Sequence, residues 1–220
     1  VNEKISSKQG NLEVDINFGL PVKNVSVSEM GMEVELKKDS KVIAEIPLGS
    51  ETLTSSFEYE GVTCSYTVER LNYDRGSEVS EGAKMYNCRV VFENLPAGVD
   101  VFYGLDISGR GFKTASVDKI ELNNYSKRVI VSNIQEDDKN GAILFGDVNK
   151  DGVVDREDYD KLYSKIGKTD LEYDLNRDGV VNISDLVYVH KNMGKEQGEV
   201  TVEETNAILD VENIVVESSE

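Results

Sequence analysis

The chain has 220 residues, of which 39% are hydrophobic and 30% charged, and its formal net charge is -18. That length suits one or two domains, and that charge disfavours nucleic acid and anionic membrane surfaces, which would repel it. No apolar run approaches the roughly 20 residues that span a bilayer. The opening VNEKISSKQG lacks the apolar core of a signal peptide, so the sequence reads as a soluble piece of a longer chain whose export signal would lie upstream.

From residue 12 to about 134 the texture is that of strands. LEVDINF and MEVELKK alternate apolar and polar residues, and VIAEIPL, FEYEGVTCSYTVERL, NCRVVFENL, VFYGLDI, VDKIELN and RVIVSNI follow, separated by Gly, Asn, Asp, Ser or Pro clusters. Period-two runs with frequent turn signals predict an all-β sandwich of about seven to nine short strands. The two cysteines, Cys64 and Cys88, lie in strand-like segments. They either pair across neighbouring strands in an oxidising compartment or remain two buried thiols. With one His in the chain and no CxxC pair, a zinc site is implausible.

The join QEDDKNGAILFG is polar and Gly-containing, with one short apolar cluster. Beyond Asp147 the period changes to that of helices. DREDYDKLYSKIG places Tyr159, Leu162, Tyr163 and Ile166 on one face; NISDLVYVHKNMG does the same with Leu186, Val189, His190 and Met193. Each ends at a Gly followed by Lys, a helix stop signal. His190, on the core-facing side, is expected to be packed rather than catalytic. From Glu196 onward there are eight acidic residues and no Lys or Arg. This tail is either solvated or docks AILDVENIVV on a neighbouring surface.

The two helical segments are copies. DVNKDGVVDREDYDKLYSKIGK aligns without gaps on DLNRDGVVNISDLVYVHKNMGK, 27 residues later. Each opens with D-x-N-x-D-G-V-V-[DN]-x-x-D, the spacing of a calcium loop. Calcium is a hard ion that takes about six to eight oxygens, and a central cation would make so much like charge in one loop favourable. The expected ligands of the first ion are Asp147, Asn149, Asp151, the carbonyl of Val153, Asp155 and Asp158. Those of the second are Asp174, Asn176, Asp178, the carbonyl of Val180, Asn182 and Asp185. Asp155 and Asn182 would act directly or through water. A helical pair of this size is marginal on its own core, so the two Ca2+ ions should supply folding free energy. A helix entering each loop is missing: KNGAILFG is too short and too Gly-rich. That absence, with Asp in place of Glu at position 12, argues against a calcium sensor.

At these residues, about 145–195, the sequence resembles the dockerin family: two loop-helix calcium repeats, here joined by TDLEY, that bind cohesin modules in cellulosomes and related assemblies. The second helix looks most like the type II members, which often follow an Ig-like partner called an X-module. NLPAGVDVFYGLDISGRGF also resembles such modules. The resemblance implies a mainly β chain with a small α part, an Ig-like β-sandwich followed by a dockerin of two calcium loop-helix repeats. It would divide into residues 1–140, the sandwich; 141–198, the dockerin; and 199–220, an acidic tail. The Ser-Thr pair common at positions 10 and 11 of the first type is replaced by Arg156-Glu157 and Ile183-Ser184, which sets first-type specificity aside.

The implied function is calcium-dependent, noncovalent anchoring of a secreted protein or scaffoldin to a type II-like cohesin, in a cellulosome-type assembly or on the cell surface, with no catalysis in this chain. The outer positions of the second helix, Ile183, Ser184, Val187, Tyr188, Lys191 and Asn192, carry an apolar stripe suited to an interface. Arg156 and Glu157 of the first helix would add polar contacts. The difference between the two faces argues against two interchangeable binding modes. The alternative for the stripe is packing against the β domain or the tail. The alternative function is a carbohydrate-binding sandwich with a calcium-stabilised attachment domain. The chain has no Trp, although its Tyr residues leave a sugar platform open. Carboxylates such as Glu33 and Glu35 are explained by solvated strand faces rather than glycosidase chemistry.

Overall fold

The computed structural model describes residues 8–22, 31–49, 52–73, 84–123, 126–132 and 141–204. Nine strands precede the helices: β1 (Lys8–Val22), β2 (Met32–Lys38), β3 (Lys41–Pro47), β4 (Leu53–Tyr59), β5 (Val62–Tyr73), β6 (Lys84–Ala97), β7 (Phe102–Gly109), β8 (Ala115–Glu121) and β9 (Lys127–Ser132). Helices α1 (Arg156–Tyr163) and α2 (Ile183–Asn192) follow, separated by a 3-10 turn at Leu171–Tyr173, and then strand β10 (Thr201–Glu204). The strands form a six-stranded sheet, in the order β10-β9-β1-β6-β5-β4, and a four-stranded sheet, β3-β2-β7-β8. All pairs are antiparallel except β1 with β9.

The alternation read from the sequence is the alternation of burial. Leu12, Val14, Ile16 and Phe18 of β1 turn inward, as do Met32, Val34 and Leu36 of β2. With Cys88, Val90 and Phe92 of β6 and Leu105 and Ile107 of β7 they form one cluster spanning both sheets. The run FEYEGVTCSYTVERL is a hairpin rather than one strand. It reverses at Glu60-Gly61, where both residues have positive φ, and Tyr59 pairs with Val62. On the outer face of the large sheet, Asp15 accepts from Arg89 Nε (2.6 Å) and from the Arg128 guanidinium, tying β1 to both neighbours.

The expected fold class, a sandwich followed by a dockerin of two calcium loop-helix repeats, is corrected by this structure. The fold is β-sandwich-like, with two sheets and, among the described residues, only two α-helices of 8 and 10 residues. After α2 the chain returns to the sandwich, where β10 pairs antiparallel with β9 at the edge of the large sheet. Segment 141–146, which holds the apolar cluster of the join, is buried. Ala142, Ile143 and Phe145 belong to the sandwich core, whereas Leu144 joins Val148, Val154, Leu162, Leu175, Leu186 and Val189 in a second cluster. So few apolar side chains cover two short helices only partly, and the sandwich supplies the rest. Tyr188 packs against both clusters, and the Phe145 ring meets Phe18, Phe112 and Tyr188.

Strand pairing decides the cysteines. Cys88 lies opposite Arg70, and Ser65 lies opposite Glu93, so Cys64 and Cys88 sit six positions apart along β6. At about 3.3 Å per residue that is roughly 20 Å, far beyond the reach of a disulfide; both are buried thiols outside any disulfide. The tail is in part a strand, β10, while the AILDVENIVV stretch lies outside the described residues.

Candidate calcium loops and docking face

The two acidic loops have the same internal wiring. Asp147 accepts the backbone N–H groups of Asp151 (3.1 Å) and Gly152 (2.8 Å); Asp174 accepts those of Asp178 (3.2 Å) and Gly179 (2.9 Å). Asn149 and Asn176 each accept from the residue two ahead at 3.0 Å, and each donates its amide to that residue's carboxylate. Asp151 and Asp178 accept from the N–H of Val153 and Val180. Asp158 Oδ1 accepts from Val148 and Asn149, and its Oδ2 accepts from Asp155. Asp185 repeats this with Leu175, Asn176 and Asn182.

Asp155 and Asn182 are the N-caps of α1 and α2. Each accepts from the N–H two residues on, and Asp158 and Asp185 complete the capping boxes. Position 6 is glycine in both loops, at φ +100° and +90°, where a β-carbon would be strained. The copies also bind each other reciprocally: Gly167 N–H donates to Val181 O (2.9 Å), and Gly194 N–H donates to Val154 O (2.8 Å). Since 167 and 194, like 154 and 181, are equivalent positions, the two units are related by an approximate two-fold axis. Val153 forms an isolated bridge with Glu196, whereas its counterpart Val180 is 55% exposed.

Each wrap encloses carboxylates withdrawn from water. Asp147, Asp158 and Asp185 are fully buried and Asp174 nearly so. Burial pushes the Asp147 carboxyl above its ordinary value, and the charges of Asp158 and Asp151 add to that, against hydrogen bonds from the backbone of Gly152 and Lys150. Burial likewise raises Asp185; Asp174 reinforces this, and the N–H groups of Asn182, Asn176 and Leu175 oppose it. Buried like charges are costly unless a cation shares them.

The donor set fits a hard cation. It contains carboxylates, an amide oxygen and a carbonyl, without sulfur or imidazole. A carboxylate oxygen has two acceptor positions. Those of Asp174 keep one each and Asp147 keeps at least one in all, whereas Oδ1 of Asp158 and Asp185 takes two N–H groups, leaving Oδ2 as the open atom. Among the described residues no three His, Cys, Asp or Glu side chains make a metal-holding group by themselves; the Asn and carbonyl oxygens of each loop are needed to complete a shell.

The proposed docking residues divide into two sets. Ile183 and Val187, one turn apart on α2, are 74% and 60% exposed, and Ser184 and Lys191 are exposed beside them. Tyr188 turns inward, its ring 6.5 Å from Phe145, and Asn192 donates to Phe145 O at 2.6 Å. These two positions hold α2 to the sandwich. On α1, Arg156 and Glu157 are exposed. Arg156 pairs with Asp160 (2.9 Å) and lies over the Tyr159 ring. By the 27-residue repeat, Arg156 and Asp160 occupy the positions of Ile183 and Val187, so one copy offers a charged pair where the other offers an apolar one. His190 is exposed, contrary to the expectation that it packs, because Leu186, Val189 and Tyr188 already fill the covered side. Met193 and Tyr163 are exposed too, the latter stacked on Tyr159. Glu33 lies on the exposed face of β2, where Ser108 donates to it.

Three residues carry weight that no pattern announced. Phe145, of the sandwich core, meets Tyr188, which packs against both clusters. Gly146 (φ +108°) donates to Gly111 O and lies against the backbone of α2. Arg177, basic like its counterpart Lys150, is buried with its guanidinium over the Phe145 ring and donates to Leu175 O. Burial, with the charge of Arg110, depresses its pKa to about 10, while Asp174, Tyr188 and Asp185 pull the other way.

No protein-family profile matches the sequence, and no curated protein matches it. Among solved structures, the chain is similar to one from a type II cohesin–X-dockerin complex of Acetivibrio cellulolyticus, an N-terminal interface mutant. The likeness has 19% identity and a TM-score of 0.41, and it covers 86% of this chain and 97% of that one. The functional reading rests on the residues themselves.

Proposed function

We propose that this chain binds two calcium ions and, so stabilised, attaches a larger secreted protein noncovalently to a cohesin module, of the type II-like class, in a cellulosome-type assembly or at the cell surface. The observation that carries the reading is the duplicated network: equivalent hydrogen bonds in the two loops agree to within 0.1 Å. Chance acidic turns have no reason to repeat one another so closely. Asp147, Asn149, Asp151, Val153 O, Asp155 and Asp158 would hold one ion, and Asp174, Asn176, Asp178, Val180 O, Asn182 and Asp185 the other. Bound calcium would neutralise the buried carboxylates and so favour the folded loops.

The exposed Ile183 and Val187 support α2 as the centre of the contact, since apolar side chains at the middle of an interface carry most of its affinity. Arg156 and Glu157 would contribute at the rim. The test is calorimetric titration of the chain with CaCl2, followed by binding to a panel of cohesins in calcium and in EGTA. Two calcium ions per chain, cohesin binding lost in EGTA, and at least a tenfold loss in Ile183→Asp and Val187→Asp are expected. Absence of calcium uptake removes the metal reading; full cohesin affinity in both variants removes the assigned interface.

A further inference from the structure

The two loops place a basic residue at the same point, loop position 4, in a left-handed backbone conformation: Lys150 at φ +64° and Arg177 at φ +60°. Their surroundings differ. The Lys150 side chain is 45% exposed and pairs with Glu172 at 3.1 Å. Arg177 is 8% exposed, its guanidinium 5.6 Å from the Phe145 ring centre and bonded to Leu175 O within its own loop. Leu175 is fully buried, packed so tightly on Gly111 of the sandwich that a β-carbon there would strike it. The second loop is thus clamped to the sandwich with a cation sealed in its wall, whereas the cations at the first, Lys150, Lys113 (donating to Asp151 O, 3.3 Å) and Lys161 (donating to Val148 O, 3.4 Å), are all exposed residues. The acid count differs in the same sense: four carboxylates among the candidate ligands of the first loop (Asp147, Asp151, Asp155, Asp158) and three in the second (Asp174, Asp178, Asp185).

We propose that Arg177 is a built-in counter-ion of the second loop, which keeps that loop and α2 assembled when calcium is withdrawn, while the first loop and α1 depend on the ion. A buried charge acts through a lower effective dielectric than a solvated one, so Arg177 offsets the repulsion among its loop's carboxylates more strongly than the exposed Lys150, Lys113 and Lys161 do at the first loop. α2 then keeps its fold without calcium, but the cohesin contact is complete only when calcium orders α1 with Arg156 and Glu157. This inference rests on the calcium reading above.

The test is hydrogen exchange of the full chain, by mass spectrometry, in CaCl2 and in EGTA, with calcium uptake measured by calorimetry. In EGTA, peptides covering α2 of the wild type should remain protected and those covering α1 should exchange at least tenfold faster than in calcium. Arg177→Met, which keeps the bulk and loses the charge, should lose α2 protection in EGTA and regain it in calcium; Arg177→Lys should retain it in both. Equal loss of both helices in wild-type EGTA samples overturns the proposal, and that comparison needs no variant. So does an Arg177→Met chain unchanged in EGTA. Loss of α2 protection in calcium as well as in EGTA makes Arg177 a packing prop and also overturns it. If calorimetry finds no calcium bound to the wild type, the calcium reading itself fails, a result distinct from all of these.

Discussion

Gly146 is where the first loop meets the second helix, and its replacement by alanine measures how closely they are packed. A β-carbon at this position would sit 2.9 Å from Val189 Cα, 3.0 Å from Val189 N and 3.1 Å from Tyr188 O. These are backbone atoms of α2 and cannot rotate away. The residue also has φ +108°, beyond the left-handed region that other residues tolerate. Gly194 provides the control: φ +80° with nothing within 4 Å of an added β-carbon. There, only the backbone penalty should appear, about 1–2 kcal/mol. At Gly146 a backbone penalty of about 1–3 kcal/mol combines with an overpacking cost of about 1–3 kcal/mol, so Gly146→Ala should cost about 2–6 kcal/mol in all. Urea unfolding followed by circular dichroism, with both variants measured in excess calcium, would give the two values. A Gly146→Ala loss no larger than that of Gly194→Ala would refute the close approach of loop and helix, and with it the continuity of helices and sandwich.

Asp15→Asn should destabilise the chain at neutral pH by about 1–2 kcal/mol, since charge-assisted bonds from Arg89 and Arg128 are lost at a half-buried site. Burial raises the Asp15 carboxyl, but the hydrogen bonds and charges of the two arginines together outweigh it, so its pKa is lowered on folding. A carboxylate with a lowered folded pKa contributes stability above its unfolded value and loses it as pH falls through the folded one. The gap between wild type and variant should therefore be constant above about pH 5 and close below about pH 4; a gap that widens in acid would contradict this. The thiols should behave as two separate buried groups. Burial, with the charge of Glu58, raises the Cys64 thiol, so a thiol reagent at pH 7.5 should react slowly with the native protein and find two thiols in denaturant. Mild oxidation of the native chain should form no bond between Cys64 and Cys88, and an intramolecular disulfide after such treatment would mean the β5–β6 register is wrong.

Much of the local structure was legible in the residues. The alternation in LEVDINF and MEVELKK marked β1 and β2 because a strand's side chains alternate by geometry, and the same local rule marked the helices. The 27-residue repeat marked both loops, down to the glycine at position 6, since the pattern lies within twelve consecutive residues. Predicted helix faces were less secure. Leu162, Leu186 and Val189 are covered as expected, but Tyr163, His190 and Met193 are not, and Tyr188 of the predicted outer face is half-buried. Periodicity shows that a helix has two faces; which neighbour arrives, and how far it reaches, depends on residues distant in the chain.

The sequence alone established what is local: strand after strand, two copied acidic wraps, and oxygen donors spaced for a hard cation. Tertiary structure decided how these parts join. Pairing of β10 with β9 brings the chain back to the edge of the large sheet after the helices, and the registers of β5 and β6 keep the two thiols apart. Only packing distinguishes Lys150 from Arg177, equivalent in the repeat yet one solvated and the other sealed beneath Phe145. Burial is a property of the surfaces that meet, and those surfaces come from segments far apart along the chain.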